Sequence, residues 1–238
     1  MPICRLCKKE NQLQKSHIIP EFLWKGLYDE SNTFFGITGT GPFGHRKLQK
    51  GLREPLFCRA CEQHFNDAFE KPFNKQWIKN TQMPKVWAND TLIWMQFDYA
   101  TFKLFHLSIL FRAHVSSLPD FTVVDLGAHA ERIRNMLTEE NPGEVHEYPI
   151  FGYAILHPET KSPVQIVSSA QLSRIAGTHC YAMMYGGVEW YICVASHRYK
   201  EFEKLALRSD GTIPLGPIPM DKVGSIRRTA KIYASKRT

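Results

Sequence analysis

Apolar positions recur at helical intervals in the first half of this chain and at intervals of two in the second. After Pro20, which suits a first helical turn, the run Glu21-Phe22-Leu23-Trp24-Lys25-Gly26-Leu27-Tyr28 has helical spacing. Gly36 to Gly51 is glycine-rich and basic and reads as a loop or an irregular hairpin. From Cys61 a helix is predicted through Phe65 and Phe69, which lie on one face at i, i+4, until Pro72 kinks or ends it. Mixed apolar residues around Trp87 and Trp94 precede a helix over Tyr99 to Ser116 and a shorter amphipathic one over His129 to Leu137.

Beyond Glu147 the period changes. Tyr148 to Leu156, Pro163 to Val167, Cys180 to Tyr185 and Glu189 to Val194 are β-rich runs, and Gly186-Gly187 forms a hairpin turn between the last two. Arg198 to Leu207 is a candidate helix, and the stretch after Gly211 reads as extended and partly disordered. The pattern predicts an α+β protein in three parts. Residues 1–90 form a first domain, 91–215 an α+β domain with an antiparallel sheet and helices against one face, and 216–238 a basic tail.

Composition adds a location and a charge map. No charged, apolar and small-residue order marks a secretory signal. The most apolar stretch, Leu104 to Phe111, is too short to span a bilayer, so a cytoplasmic, membrane-free protein is expected. Residues 1–90 carry 14 Lys and Arg against 9 Asp and Glu, residues 91–221 carry 10 against 14, and residues 222–238 carry 6 against none. Cations thus gather at both ends, where Lys50, Arg53, Arg227, Arg228, Lys231, Lys236 and Arg237 are candidates for gripping nucleic-acid phosphates. The plainer reading of the tail is that its charge aids solubility.

Candidate chemistry concentrates near the start. Cys4-x-x-Cys7 and Cys58-x-x-Cys61 are two knuckles whose four thiolates suit one tetrahedral, closed, structural Zn²⁺. Cys180 and Cys193 fall in adjacent predicted strands with apolar neighbours and read as buried small hydrophobes rather than ligands or a disulfide. Arg112 is expected to make an interdomain ion pair.

Between the knuckles stands Ser16-His17-Ile18-Ile19-Pro20. The order Cys-x-x-Cys, His-Ile-Ile-Pro, then Cys-x-x-Cys opening a helix resembles the HNH endonucleases, also called ββα-metal or His-Me finger nucleases, over about residues 1–75. The resemblance implies a zinc-stapled ββα-metal nuclease-like N-terminal region, with His17 as the general base that activates water. It also implies a divalent ion, Mg²⁺ or Mn²⁺, held by residues beside the base and on the following helix. Glu62 and Asn66 occupy the helix positions, and Glu54 lies upstream of the second knuckle. Where the family has Asp or His before the base, this chain has Ser16, as in a divergent branch in which Gln49, Gly51 and Glu70 also join the pattern.

The implied function is hydrolysis of phosphodiester bonds in DNA, with RNA as a second substrate, in a role such as bacterial defence against phage. The alternative is a non-catalytic, zinc-stabilised module that binds nucleic acid or protein. A homodimer or a partner protein fits either reading, and 91–215 carries no motif that assigns it a role.

Overall fold

The computed structural model describes residues 1–37, 45–195 and 198–235. It is a mixed α+β fold built on a six-stranded, mostly antiparallel sheet. Two strands, β1 (Leu13–His17) and β4 (Arg53–Cys58), pair antiparallel, with Ser16 opposite Glu54 and His17 opposite Arg53. Between them, β2 (Phe34–Ile37) and β3 (His45–Leu48) form a second antiparallel pair in the glycine-rich stretch, whose residues 38–44 lie outside the described ones. The expected helix after Pro20 is two short 3₁₀ turns, Glu21–Leu23 and Lys25–Leu27. Gly26 interrupts that run, and Trp24 turns inward to donate its indole N–H to the Ile19 carbonyl at 3.0 Å.

Pro72 does not end the helix. Helix runs on from α1 (Arg59–Phe65) through a π-helical stretch (Asn66–Glu70), α2 (Lys71–Asn74) and a second π stretch (Lys75–Lys79). The wider π register falls on the turn just before Pro72. That loosening accommodates a ring that would clash with an ordinary α turn.

The large sheet has the order β5 (Ile93–Gln96), β10 (Thr212–Pro219), β6 (Ile150–Leu156), β9 (Val188–Cys193), β8 (Thr178–Tyr185), β7 (Gln171–Ile175). All its pairings are antiparallel except β10 with β6. Gly186 and Gly187 adopt φ of 62° and 81°, as a tight two-residue turn between β8 and β9 requires. The run expected over Pro163 to Val167 makes only an isolated bridge at Pro163, and Gln171–Ile175 is the strand instead.

After Gly211 the chain is extended as expected, but as an interior strand of the sheet, and a helix follows as far as Ser235. β10 tolerates Pro214, Pro217 and Pro219 because its neighbours overlap little. Residues 212–215 pair only with β5, apart from Leu215, and 215–219 pair with β6, so each proline has an open side. α6 (Gly224–Ser235) follows. The predicted helix over Arg198 to Leu207 shortens to α5 (Lys200–Glu203).

α3 (Tyr99–Val115) is buried on every side from Phe102 to Ala113. It is wedged between the 59–79 helix, where Phe73 stacks on Phe105 with centroids 3.7 Å apart, and the sheet, where Phe102 meets Trp190 at 5.5 Å. α4 (His129–Thr138) packs alongside it. One continuous apolar core therefore includes the cysteine knuckles, α3 and one face of the sheet. The opposite face carries two smaller clusters, one around Phe151 and Phe202 and one in which Val223 and Ile226 lie on Ile155 and Met184. α6 thus lies across the sheet from α3.

Cys180 and Cys193 form a disulfide, contrary to the sequence expectation. Their burial against Phe151, Phe202 and Ala206 is as expected, but the β8–β9 register sets them directly opposite one another. Among the described residues no helix is long and apolar enough to cross a membrane.

Candidate functional site

The site is organised around the cysteine knuckles. Cys4 and Cys7 flank a turn closed by the Lys8 amide on the Cys4 carbonyl, with Lys8 itself at φ 60°. Cys58 ends β4 and Cys61 sits in the first turn of α1, so the second knuckle is a strand-to-helix junction. The four sulfurs lie within 4.8 Å of one another, and Cys7 and Cys58 are 4.0 Å apart. A tetrahedral Zn²⁺ with Zn–S bonds of about 2.3 Å needs S···S separations of about 3.8 Å, so the set fits that ion.

Electrostatics point the same way. Burial pushes the Cys4 thiol up, but N–H groups of Cys58, Cys7 and Leu6 outweigh it and hold Cys4 below its ordinary value. The Cys58 amide reaches the Cys4 sulfur at 3.3 Å. Burial raises Cys61 and Cys7, because four crowded thiols cannot all ionise without a cation. Among the described residues this is the one group of three or more Cys, His, Asp or Glu side chains close enough to hold an ion.

β1 leads from this centre to His17. Ile18 and Ile19 are buried and anchor the strand end, and the Ile18 amide bonds to the Leu52 carbonyl. Gly51 lies so close beneath Trp24 that a Cβ there would stand 2.5 Å from the indole nitrogen. After Pro20 the 3₁₀ turn brings Glu21 back over the histidine, with Oε2 2.9 Å from His17 Nε2. Tyr28 donates its hydroxyl to the other oxygen of Glu21. Burial holds the His17 imidazole below its ordinary value; Glu21 opposes this, and the Arg53 and Arg112 charges reinforce it. The ring is therefore neutral at pH 7.

Glu62 directly follows Cys61, and its carboxylate accepts the hydroxyl of the fully buried Ser16. Burial raises the Glu62 carboxyl, against the Arg112 charge and the Ser16 bond. Half-buried Asn66 is four residues on, and Glu70 eight. An α-helix drifts about 80° over eight residues. The π stretch between Asn66 and Glu70 takes back much of that drift, and Glu70 reaches Arg112 on α3 at 2.5 Å. That ion pair joins the two predicted domains.

The remaining sequence candidates lie elsewhere. Glu54 is opposite Ser16 in register, yet its carboxylate accepts bonds from the Ser116 hydroxyl and from the amide and hydroxyl of Ser117 at the end of α3. Burial pushes Glu54 up, but those bonds outweigh it and hold it low. Lys50 and Arg53 are exposed, Arg53 beside His17. Arg227 and Arg228 are exposed on α6, where Arg228 donates to the Gln171 side chain, and Lys231 is on the same helix. The structure thus places Arg227 and Arg228 with the far face of the sheet. Lys236 and Arg237 lie outside the described residues.

Sequence reasoning missed Glu21, which lies against His17, and Tyr28, which donates to Glu21. The spacing of Glu21, four residues after His17 across a proline, was the available signal.

No family model, curated protein or solved structure matches the chain.

Proposed function

We propose that this protein is an HNH-type endonuclease that hydrolyses phosphodiester bonds, with DNA the favoured substrate, and that its cysteine knuckles hold a structural Zn²⁺. One observation carries this reading. His17 ends a strand antiparallel to the strand that runs into the second knuckle, and Glu62 in the ensuing helix reaches back to Ser16, the residue beside it.

His17 takes the proton from the attacking water. Its Nε2 lies 2.9 Å from Glu21 Oε2, a charge contact outside hydrogen-bond geometry, and the neutral ring offers one nitrogen as the proton acceptor. Tyr28 holds Glu21 in place. Glu62 and Asn66 would hold Mg²⁺ or Mn²⁺, hard ions that accept a carboxylate and an amide oxygen and complete their shell with water and substrate phosphate. Such an ion, when bound, neutralises charge developing on the leaving oxygen. Arg53 beside His17 and Lys50 contribute phosphate contacts.

The test is a cleavage assay of plasmid and single-stranded DNA by the zinc-loaded chain, with Mg²⁺ or Mn²⁺ withheld and then added. Cutting that appears on addition supports the reading, and no cutting under any of these conditions contradicts it.

A second reading is favoured by one observation: Ser16 bonds to Glu62, and Arg112 to Glu70, inside the fold. In that case the network is structural, and the protein is a zinc-stabilised binding module. It would then hold DNA or a protein partner with equal affinity whether or not His17 is present.

A further inference from the structure

Away from the His17 site, the segment before β6 and the connection from β9 to β10 wall a cleft of about 470 Å³, a size typical of small-ligand sites. Its floor is apolar, with Pro149, Phe202 and Leu207 buried there. The Leu207 amide bonds to the Ile150 carbonyl at 2.8 Å, which ties that floor to the sheet. Half-buried Tyr199 stands edge-on to Phe202, with ring centroids 5.5 Å apart.

The rim is cationic. Arg198 and Arg208 both line the cleft and are exposed, and neither side chain has a hydrogen bond or an ion pair among the described residues. They stand so in residues 91–221, where acids outnumber basic residues 14 to 10. Arg208 lies over the Trp94 ring of β5, with Cζ 4.2 Å from the centroid. Contact through its face orients the guanidinium and leaves the N–H groups at its edge open to an oxyanion. The turn that carries Arg208 is anchored, since its amide bonds to the Thr212 carbonyl and the Gly211 amide bonds to its own carbonyl. Asp210 also lines the cleft, but its Oδ1 accepts the amide and hydroxyl of Thr212 and is held against its own turn.

An apolar floor beneath two arginines fits a ligand with a flat body and an ionised end. Two guanidinium groups balance a phosphate monoester, which carries a charge of about −1.5 to −2 at pH 7, better than they balance a carboxylate. An aromatic wall accepts the face of any nucleobase. We propose that this cleft binds a nucleoside monophosphate, with the phosphate on Arg198 and Arg208 and the base against Tyr199 and the apolar floor. The site shares no residue with the nuclease reading and does not depend on it. It gives residues 91–215 a binding role of their own.

The experiment is isothermal titration of the full zinc-loaded chain with thymidine 5′-monophosphate, with thymidine and inorganic phosphate titrated separately. Wild type is compared with Arg198→Ala, Arg208→Lys and His17→Ala, each checked for Tm. Arg208→Lys keeps the charge beside Trp94 and loses the planar fork. The expected result is one nucleotide per chain, bound about tenfold more weakly in each arginine variant and equally well in His17→Ala. Thymidine and phosphate should each bind at least about tenfold more weakly than the nucleotide, because each fills only half of the cleft. No binding at millimolar nucleotide, or an affinity unchanged in either arginine variant, would overturn the proposal. So would an affinity lost in His17→Ala, or phosphate bound as tightly as the nucleotide.

Discussion

Ser16, fully buried on β1, donates its hydroxyl to the carboxylate of Glu62, 46 residues later in the first turn of α1. The bond crosses from the strand that carries His17 to the helix that carries Cys61, so the proposed base and the zinc knuckle share one fixed frame. Replacing Ser16 by Ala leaves a half-buried carboxylate without that donor, at a cost of about 1–3 kcal/mol. Urea denaturation of Ser16→Ala beside wild type measures it. Unchanged stability would show that the Glu62 carboxylate needs no donor from β1.

On the proposed zinc reading, the knuckles supply stability through the metal. Cys58→Ser should release zinc and unfold the region around it, because it removes one of the four sulfurs that lie close enough to share an ion. Zinc content and far-UV circular dichroism report this, with His17→Ala as the control that keeps one zinc per chain. A Cys58→Ser protein that melts like wild type would remove the ion from the account of stability.

The His17 environment fixes a pH dependence. Burial and the Arg53 and Arg112 charges hold the imidazole below its ordinary value, so it remains an available base to lower pH than a free histidine. The acid limb of kcat/KM should therefore lie below about pH 6.5. Glu21 acts in the opposite direction, raising the imidazole. Glu21→Gln should then move the limb to still lower pH, because the ring loses the carboxylate charge 2.9 Å from its Nε2. A limb that moves upward would show that Glu21 does not face the catalytic imidazole.

A second histidine governs folding. His106 on α3 is fully buried, shares a hydrogen bond with the Tyr185 hydroxyl at 2.5 Å, and is held well below its ordinary value by burial. Its folded form refuses a proton that the unfolded chain accepts below about pH 6.5. The contribution is fully present above that pH and is lost as pH falls, by about 1.4 kcal/mol per pH unit. His106→Gln retains a polar partner for Tyr185 and should flatten the pH dependence of stability between pH 6.5 and 5. An identical slope in the two proteins would place the acid sensitivity elsewhere.

Much of this arrangement was legible in the sequence, and the misses have definite causes. The knuckle spacing indicated the four-sulfur cluster, and the expected Arg112 ion pair across the two regions is present with Glu70. Gly186-Gly187 fixed the β8–β9 turn and, with it, the register that sets Cys180 against Cys193. The disulfide was therefore implicit in a turn already located, but apolar neighbours and the expected compartment argued against it.

The prolines of β10 read as extended tail because proline weakens a strand flanked on both sides. The staggering of β5 and β6, which leaves each proline one open side, is a tertiary fact with no local signal. Glu54 was placed with the metal candidates by its position in the chain. Only the packing of α3 against β4 shows that Ser116 and Ser117 take its oxygens. Likewise only the packing shows that the apolar residues Val223 and Ile226 dock the helix of the basic tail on the far face of the sheet.

The account turns on His17 as a base, and the most direct measurement is plasmid cleavage by wild type and His17→Ala side by side, with Mg²⁺ or Mn²⁺ present and zinc content checked in both. The expected result is cutting by wild type and a loss of at least about 100-fold in His17→Ala, with one zinc per chain retained and folding intact. Equal cutting by the two proteins would contradict the assignment of the base, and silence from both would contradict the nuclease reading itself.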